Sequence, residues 1–138
     1  MNKKTAKLVV SAKLANLSKL IDFIVEGAKN AGFDEKSIAQ IKLASEEIIV
    51  NVMSYAYKGG EGHVEVSYTF HDDGTMEIEI TDWGVAFDPL SLPEPDVAAP
   101  LNDRKIGGLG IYLARKVMDE VRYKRVDNKN VVTLIKRP

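Results

Sequence analysis

The sequence predicts an α/β chain, more closely an α+β two-layer sandwich with helices on one face of a mainly antiparallel, mixed sheet. Three observations carry this. Two stretches, Leu14 to Ala28 and Ile38 to Val52, repeat their apolar residues at helical spacing. Two others, Val64 to Tyr68 and Met76 to Ile80, alternate apolar and polar residues on either side of Asp73 and Gly74, as a hairpin does. The order β-α-α-β-β-loop-α-β-β therefore groups like elements together, which places helices on one side of an antiparallel sheet.

Each element has its own local signal. Thr5 to Ala12 reads as a short edge strand, because Leu8-Val9-Val10 is apolar and partly β-branched. In the first helix Leu14, Leu17, Leu20, Ile21, Ile24, Val25 and Ala28 share a face, and Gly32 stops it. Asp34 is the expected N-cap of the second helix, with Glu35 favourable in its first turn. That helix carries Ile38, Ile41, Leu43, Ala44, Ile48, Val52 and Tyr55 and ends before Gly59-Gly60. Pro89 to Pro100 holds four prolines and reads as an irregular loop. Helical spacing resumes from Leu109 to Met118 through Leu109, Leu113 and Val117. Strands over Val121 to Val126 and Val131 to Ile135 then flank a turn at Asp127-Asn128-Lys129-Asn130.

Bulk properties narrow the function classes. At 138 residues, residues 1–138 read as one domain able to bury a core without staples. With 45% hydrophobic and 28% charged residues the chain groups with ordinary globular proteins, not disordered ones. A net charge of −1 supplies no basic excess, so binding to nucleic acid by bulk attraction is not expected. No cysteine is present, which excludes disulfides, thiolate catalysis and cysteine-ligated zinc. The basic start, Met1 to Thr5, is followed by too short an apolar run for a signal peptide, and no run reaches membrane-spanning length. The expected location is the cytoplasm, with no membrane partner.

Four places could carry chemistry. Glu47 and Asn51 stand four apart on one helix face. An amide oxygen beside a carboxylate suits a hydrated Mg²⁺, and the carboxylate could instead take a proton from an attacking hydroxyl. The plainer reading is a solvated pair, although Ile48 and Val52 argue for a half-buried stripe; Glu46 points away as a surface charge. Asp82-Trp83-Gly84-Val85-Ala86-Phe87-Asp88 ends a strand. A carboxylate there could accept from the exocyclic amine of adenine, with Gly84 letting the backbone pass under a flat base. A plain strand-to-loop turn fits the same residues.

Lys105-Ile106-Gly107-Gly108-Leu109-Gly110-Ile111 is the third place. Glycines ahead of a helix let backbone N–H groups converge on an anion, and Arg104 and Lys105 favour an anionic ligand. The spacing is neither a Walker A loop nor GxGxxG, and a glycine-rich turn is the bland alternative. The fourth place is the proline loop, which lies between the second and third and is positioned to act as a lid, or is an ordinary surface excursion.

The order and spacing of these segments resemble a known family. Glu47-x3-Asn51, Asp82-x-Gly84-x-x-Phe87-Asp88 and Gly107-Gly108-Leu109-Gly110-Ile111-x-Leu113 are similar to the N, G1 and G2 boxes of the GHKL ATPases. Within that superfamily the chain looks most like the small bacterial anti-sigma factor serine/threonine kinases. The likeness extends to Leu43-Ala44-Ser45-Glu46-Glu47, to Phe87-Asp88-Pro89 and to Ala114 through Val121. It implies a Bergerat-type ATP-binding fold, with ATP and Mg²⁺ as cofactors. By the same resemblance Glu47 is the general base, Asn51 the Mg²⁺ ligand and Asp82 the partner of the adenine amine. Gly84 then supports the base, with Ala86 beside it. Gly107, Gly108, Leu109 and Gly110 form the lid hinge and phosphate turn, with Arg104 and Lys105 close by.

Three departures stand out. Ala86 replaces a second G1 glycine, Tyr55 stands where many anti-sigma kinases have histidine, and Asn128-Lys129-Asn130 replaces a glycine-containing turn. The implied activity is phosphorylation of a STAS-type anti-anti-sigma protein, with a sigma factor as the second partner. A homodimer surface on the first helix and flanking strand is expected by analogy alone. The alternative is an ATP-dependent regulatory module that transfers no phosphate. A histidine kinase fragment is disfavoured, because His63 and His71 lie in or beside the hairpin rather than on a dimerisation helix.

Overall fold

The computed structural model describes residues 4–58, 60–91 and 108–138. Strand β1 (Lys4–Ser11) leads through a short 3-10 turn into α1 (Leu17–Asn30) and α2 (Glu35–Tyr55). The hairpin of β2 (His63–Phe70) and β3 (Met76–Asp82) follows, then α3 (Gly108–Val117), β4 (Glu120–Val126) and β5 (Lys129–Lys136). The strands form one sheet in the order β1-β2-β3-β5-β4. All four pairings are antiparallel, which corrects the expectation of a mixed sheet. β3 and β4 do run parallel, but the tight β4–β5 turn inserts β5 between them, so no parallel ladder forms among the described residues.

Local chemistry sets the boundaries. Gly32 lies just past α1 with φ +90, a conformation that costs glycine little. Asp34 caps α2 by accepting from the Ser37 N–H at 2.8 Å. The β4–β5 turn uses only Asp127 and Asn128, both at positive φ (50 and 62), as a two-residue hairpin turn requires. The expected four-residue turn is therefore too wide: Lys129 and Asn130 already belong to β5.

The core lies between the helices and one sheet face. Leu20 and Ile24 of α1, Ile41, Ile48 and Ile49 of α2, Val64 and Val66 of β2, and Met76, Ile78, Ile80 and Leu134 of β3 and β5 are all fully buried. Three expected positions fall elsewhere. Leu14 lies in the 3-10 turn before α1 and is exposed. Tyr55 is exposed at the end of α2, and on α3 the buried stripe is Ile111, Ala114 and Met118 while Leu113 is exposed. Helix α3 is apolar on two adjoining stripes, so spacing alone does not choose between them; packing against α2 does. Lys136 reaches from β5 to donate to the Val117 carbonyl at 2.9 Å and to Gln40 at 2.6 Å, closing the last turn of α3 with a cation.

Candidate nucleotide site

The described parts of the three segments singled out in the sequence come together along α2. At its C-terminal end the Ala56 carbonyl accepts from the Val85 N–H at 2.9 Å, which docks the loop after β3 onto the helix. Gly84 makes that approach possible. A Cβ there would stand 2.5 Å from the Ala56 carbonyl carbon and 2.7 Å from its Cβ, so any side chain would drive the two backbones apart. Tyr57 adds a second tie, its hydroxyl accepting from the Trp83 N–H at 2.8 Å and donating to the His63 carbonyl at 2.6 Å.

Asn51 stands five residues before Ala56, on the order of 7 Å back along the helix axis. Glu47 lies one further turn back, half-buried, as is Glu46. Ile48 and Val52 are buried beside them, so the half-buried stripe expected from their spacing is present. At the Glu47 end α3 comes close: a Cβ on Gly110 would lie 2.6 Å from Glu47 Cδ and 3.2 Å from its Cγ. Gly108 opens α3, and Leu109 follows it. Arg104, Lys105, Gly107 and most of the expected lid, residues 92–107, lie outside the described residues.

Asp82 closes β3 and is 3% exposed. Its Oδ1 accepts from the Gly84 N–H and from Asn130 Nδ2, both at 2.9 Å. Among the described residues no hydrogen bond reaches Oδ2. No ion pair among them involves Asp82 or Glu47 either. An acceptor oxygen beside a glycine that hugs the helix end fits a flat base bearing an amino group. Glu47 and Asn51 offer a carboxylate and an amide oxygen on one face, the hard donors that Mg²⁺ takes.

Two details were not legible in the motif. Ala86 is exposed and not among the residues with positive φ, so this loop does not use the freedom of a second glycine there. Asn130, read from sequence as turn filler, is 4% exposed and pairs with Asp82 across the β3–β5 ladder. Its amide donates to Asp82 and, at 2.8 Å, to the Val85 carbonyl, while its oxygen accepts from the Tyr123 hydroxyl at 2.6 Å. Burial raises the Tyr123 pKa above its ordinary value, which keeps the hydroxyl a donor. Arg125 braces the same loop, with Nη1 2.8 Å from the Gly84 carbonyl.

Comparison with known proteins identifies the family and the fold. A family model described as a histidine kinase-like ATPase domain matches residues 10–136. The chain is 34% identical over 100 residues to the serine-protein kinase RsbW of Listeria monocytogenes, a match covering 69% of this chain and 63% of that protein. It is also 34% identical over 126 residues to the serine-protein kinase RsbW of Halalkalibacterium halodurans, covering 88% of this chain and 76% of that one. The chain thus spans under two thirds of the Listeria relative's length.

Two solved structures share the fold. A Mycobacterium tuberculosis protein comprising RsbU and RsbW domains superposes with a TM-score of 0.66 at 18% identity, over 97% of this chain and 32% of that one. The histidine kinase domain of a blue-light activated kinase from Erythrobacter litoralis gives 0.58 at 14% identity, over 89% and 59%. The chain belongs to the histidine kinase-like ATPase domain family, and ATP is the nucleotide that this membership assigns to it.

Proposed function

We propose that this chain is an ATP- and Mg²⁺-dependent serine/threonine protein kinase of the cytoplasm, acting on a STAS-type anti-anti-sigma protein and binding a sigma factor as its second partner. The observation that carries the reading is the meeting of Glu47 with Gly110. It sets a carboxylate at the turn expected to hold the phosphates, where Asn51 is already the metal ligand. A site that transfers phosphate needs a base there.

In this reading Asp82 Oδ2 accepts from the adenine amine, and Gly84 lets the base lie against the loop. Backbone N–H groups of Gly108 and Gly110 at the start of α3 take the phosphates, and the resemblance adds Gly107, with Arg104 and Lys105 supplying positive charge. Asn51 is the Mg²⁺ ligand; the ion, when bound, neutralises charge on the phosphate oxygens. Glu47 takes the proton from the acceptor hydroxyl. The acceptor oxygen bonds to the γ-phosphorus, the bond from that phosphorus to the bridging oxygen breaks, and ADP leaves.

The names of the RsbW relatives support the enzyme class. The acceptor and the sigma factor rest on the resemblance of the three boxes. A homodimer through α1 and β1 belongs to the same proposal: β1 is a sheet edge, and Val9 and Leu14 are 47% and 66% exposed.

The test is transfer of labelled γ-phosphate to a STAS protein by wild type and by Glu47→Ala. Transfer falls at least ~100-fold in the variant while ATP affinity is kept. If Glu47→Ala transfers normally, the base is misassigned. If wild type binds ATP and its partners but transfers nothing, a regulatory binding module replaces the kinase.

A further inference from the structure

Asn130 is the side chain that grips both the Asp82 carboxylate and the loop beyond it. Its orientation follows from its neighbours. The Val85 carbonyl can only accept, and the Phe87 N–H, 3.4 Å from Asn130 Oδ1, can only donate. The amide nitrogen therefore faces Val85 and Asp82, and the oxygen faces Phe87 and Tyr123. A flipped amide would set an oxygen against two acceptors. Both amide protons are committed, one to each partner.

This has a consequence for Asp82. With the Gly84 N–H alone, the carboxylate could still turn about its last torsion, which is soft. A second donor on the same Oδ1, from a residue anchored in the neighbouring strand, fixes the carboxylate plane. Oδ2 then has one position.

That position matters for purines. A 6-amino group donates an N–H to Oδ2. A 6-oxo group presents an acceptor there, and its donor, the protonated N1, is displaced to one side. A carboxylate free to turn could follow that N1–H; one held by Asn130 cannot.

The geometry points to Asn130 as the positioning residue that, through Asp82, makes this site select 6-amino over 6-oxo purine nucleotides. The inference rests on the nucleotide reading proposed above. Asp82 supplies the acceptor, and Asn130 supplies its direction.

The experiment is competition between ATP and inosine triphosphate, read by calorimetry and by Trp83. That residue is the chain's one tryptophan, 44% exposed and adjacent to Asp82. Wild type prefers ATP by on the order of 100-fold, the scale of a buried charged acceptor left facing another acceptor. In Asn130→Ala the preference falls below about 10-fold, because the carboxylate turns to meet the 6-oxo ring. Asn130→Asp keeps the volume but sets oxygen against Val85 and Asp82, and loses the preference too. Should Asn130→Ala fail to fold by thermal melt, Asn130→Ser takes its place.

A merely structural role is told apart by Ile78→Val, a fully buried β3 residue remote from the loop, which lowers the melting temperature and leaves the ratio unchanged. If the folded Asn130 variants weaken both nucleotides equally and keep the wild-type ratio, the inference is overturned. The nucleotide reading survives that result as long as Asp82→Asn abolishes the preference. If wild type binds neither nucleotide, both fall together.

Discussion

The Glu47 carboxylate occupies the space in which the first side-chain atom of residue 110 would otherwise stand, and Gly110 makes room for it. Two residues 63 positions apart (110 − 47) thus share one site, joining α2 to the start of α3. Gly110→Ala separates catalysis from stability. The Glu47 carboxylate is displaced by about an ångström, and phosphate transfer falls at least ~10-fold. The melting temperature holds or rises slightly, because alanine suits a helix better than glycine by about 1 kcal/mol. Equal transfer by wild type and variant, read by labelled γ-phosphate, would show that the Glu47 position does not matter to turnover.

Gly84→Ala does the opposite. The obstacle is backbone, the Ala56 carbonyl, and it cannot swing aside as a side-chain tip can. The Val85 to Ala56 hydrogen bond breaks, and stability falls by about 2–3 kcal/mol as the loop lifts from α2. Denaturant unfolding gives the stability, and calorimetry gives the accompanying loss of ATP affinity. An unchanged midpoint would mean that the loop is not docked on α2 as described.

Asp82 and Asn51 are separable by ligand. Asp82→Asn weakens ATP binding by ~100-fold, since an amide can turn a donor toward the adenine amine. Asn51→Ala leaves metal-free binding nearly intact and removes most of the gain on adding Mg²⁺. Calorimetry with and without Mg²⁺ on both variants checks the pair. Asn51→Ala with a full Mg²⁺ response would move the metal elsewhere.

A pH effect follows from the α2 cap. The Ser37 N–H bonded to Asp34 holds that carboxyl below its ordinary 3.8. A carboxyl whose pKa is lower in the folded chain stabilises it above the unfolded value, and that contribution is lost as pH falls through the folded value. Asp34→Ala therefore lowers the melting temperature at neutral pH, and the gap to wild type closes in acid below the folded pKa. A gap that persists there would mean the cap works through something other than its charge. Carboxyl NMR places the Asp34 midpoint below 3.8.

The sequence by itself determined the elements and the residues that make up the three boxes, because both are written over short ranges. Apolar spacing marks α1, α2 and the β2–β3 hairpin within a few turns of chain, and Asp34, Gly32 and Gly74 punctuate them locally. Glu47 and Asn51 share a face by helix geometry alone. Only the tertiary structure decided which stripe of α3 is buried, since Ile111 and Leu113 are equally apolar and packing against α2 chooses Ile111. Only it showed that Gly84 serves to admit the Ala56 carbonyl. Asn130 is the clearest case. Beside Asn128 and Lys129 it looks like one more turn residue, and its partners Asp82 and Val85 are 48 and 45 positions away. A hydrogen bond across such a separation leaves no periodicity in the chain; it exists because β5 enters the sheet between β3 and β4 and sets Asn130 opposite Asp82.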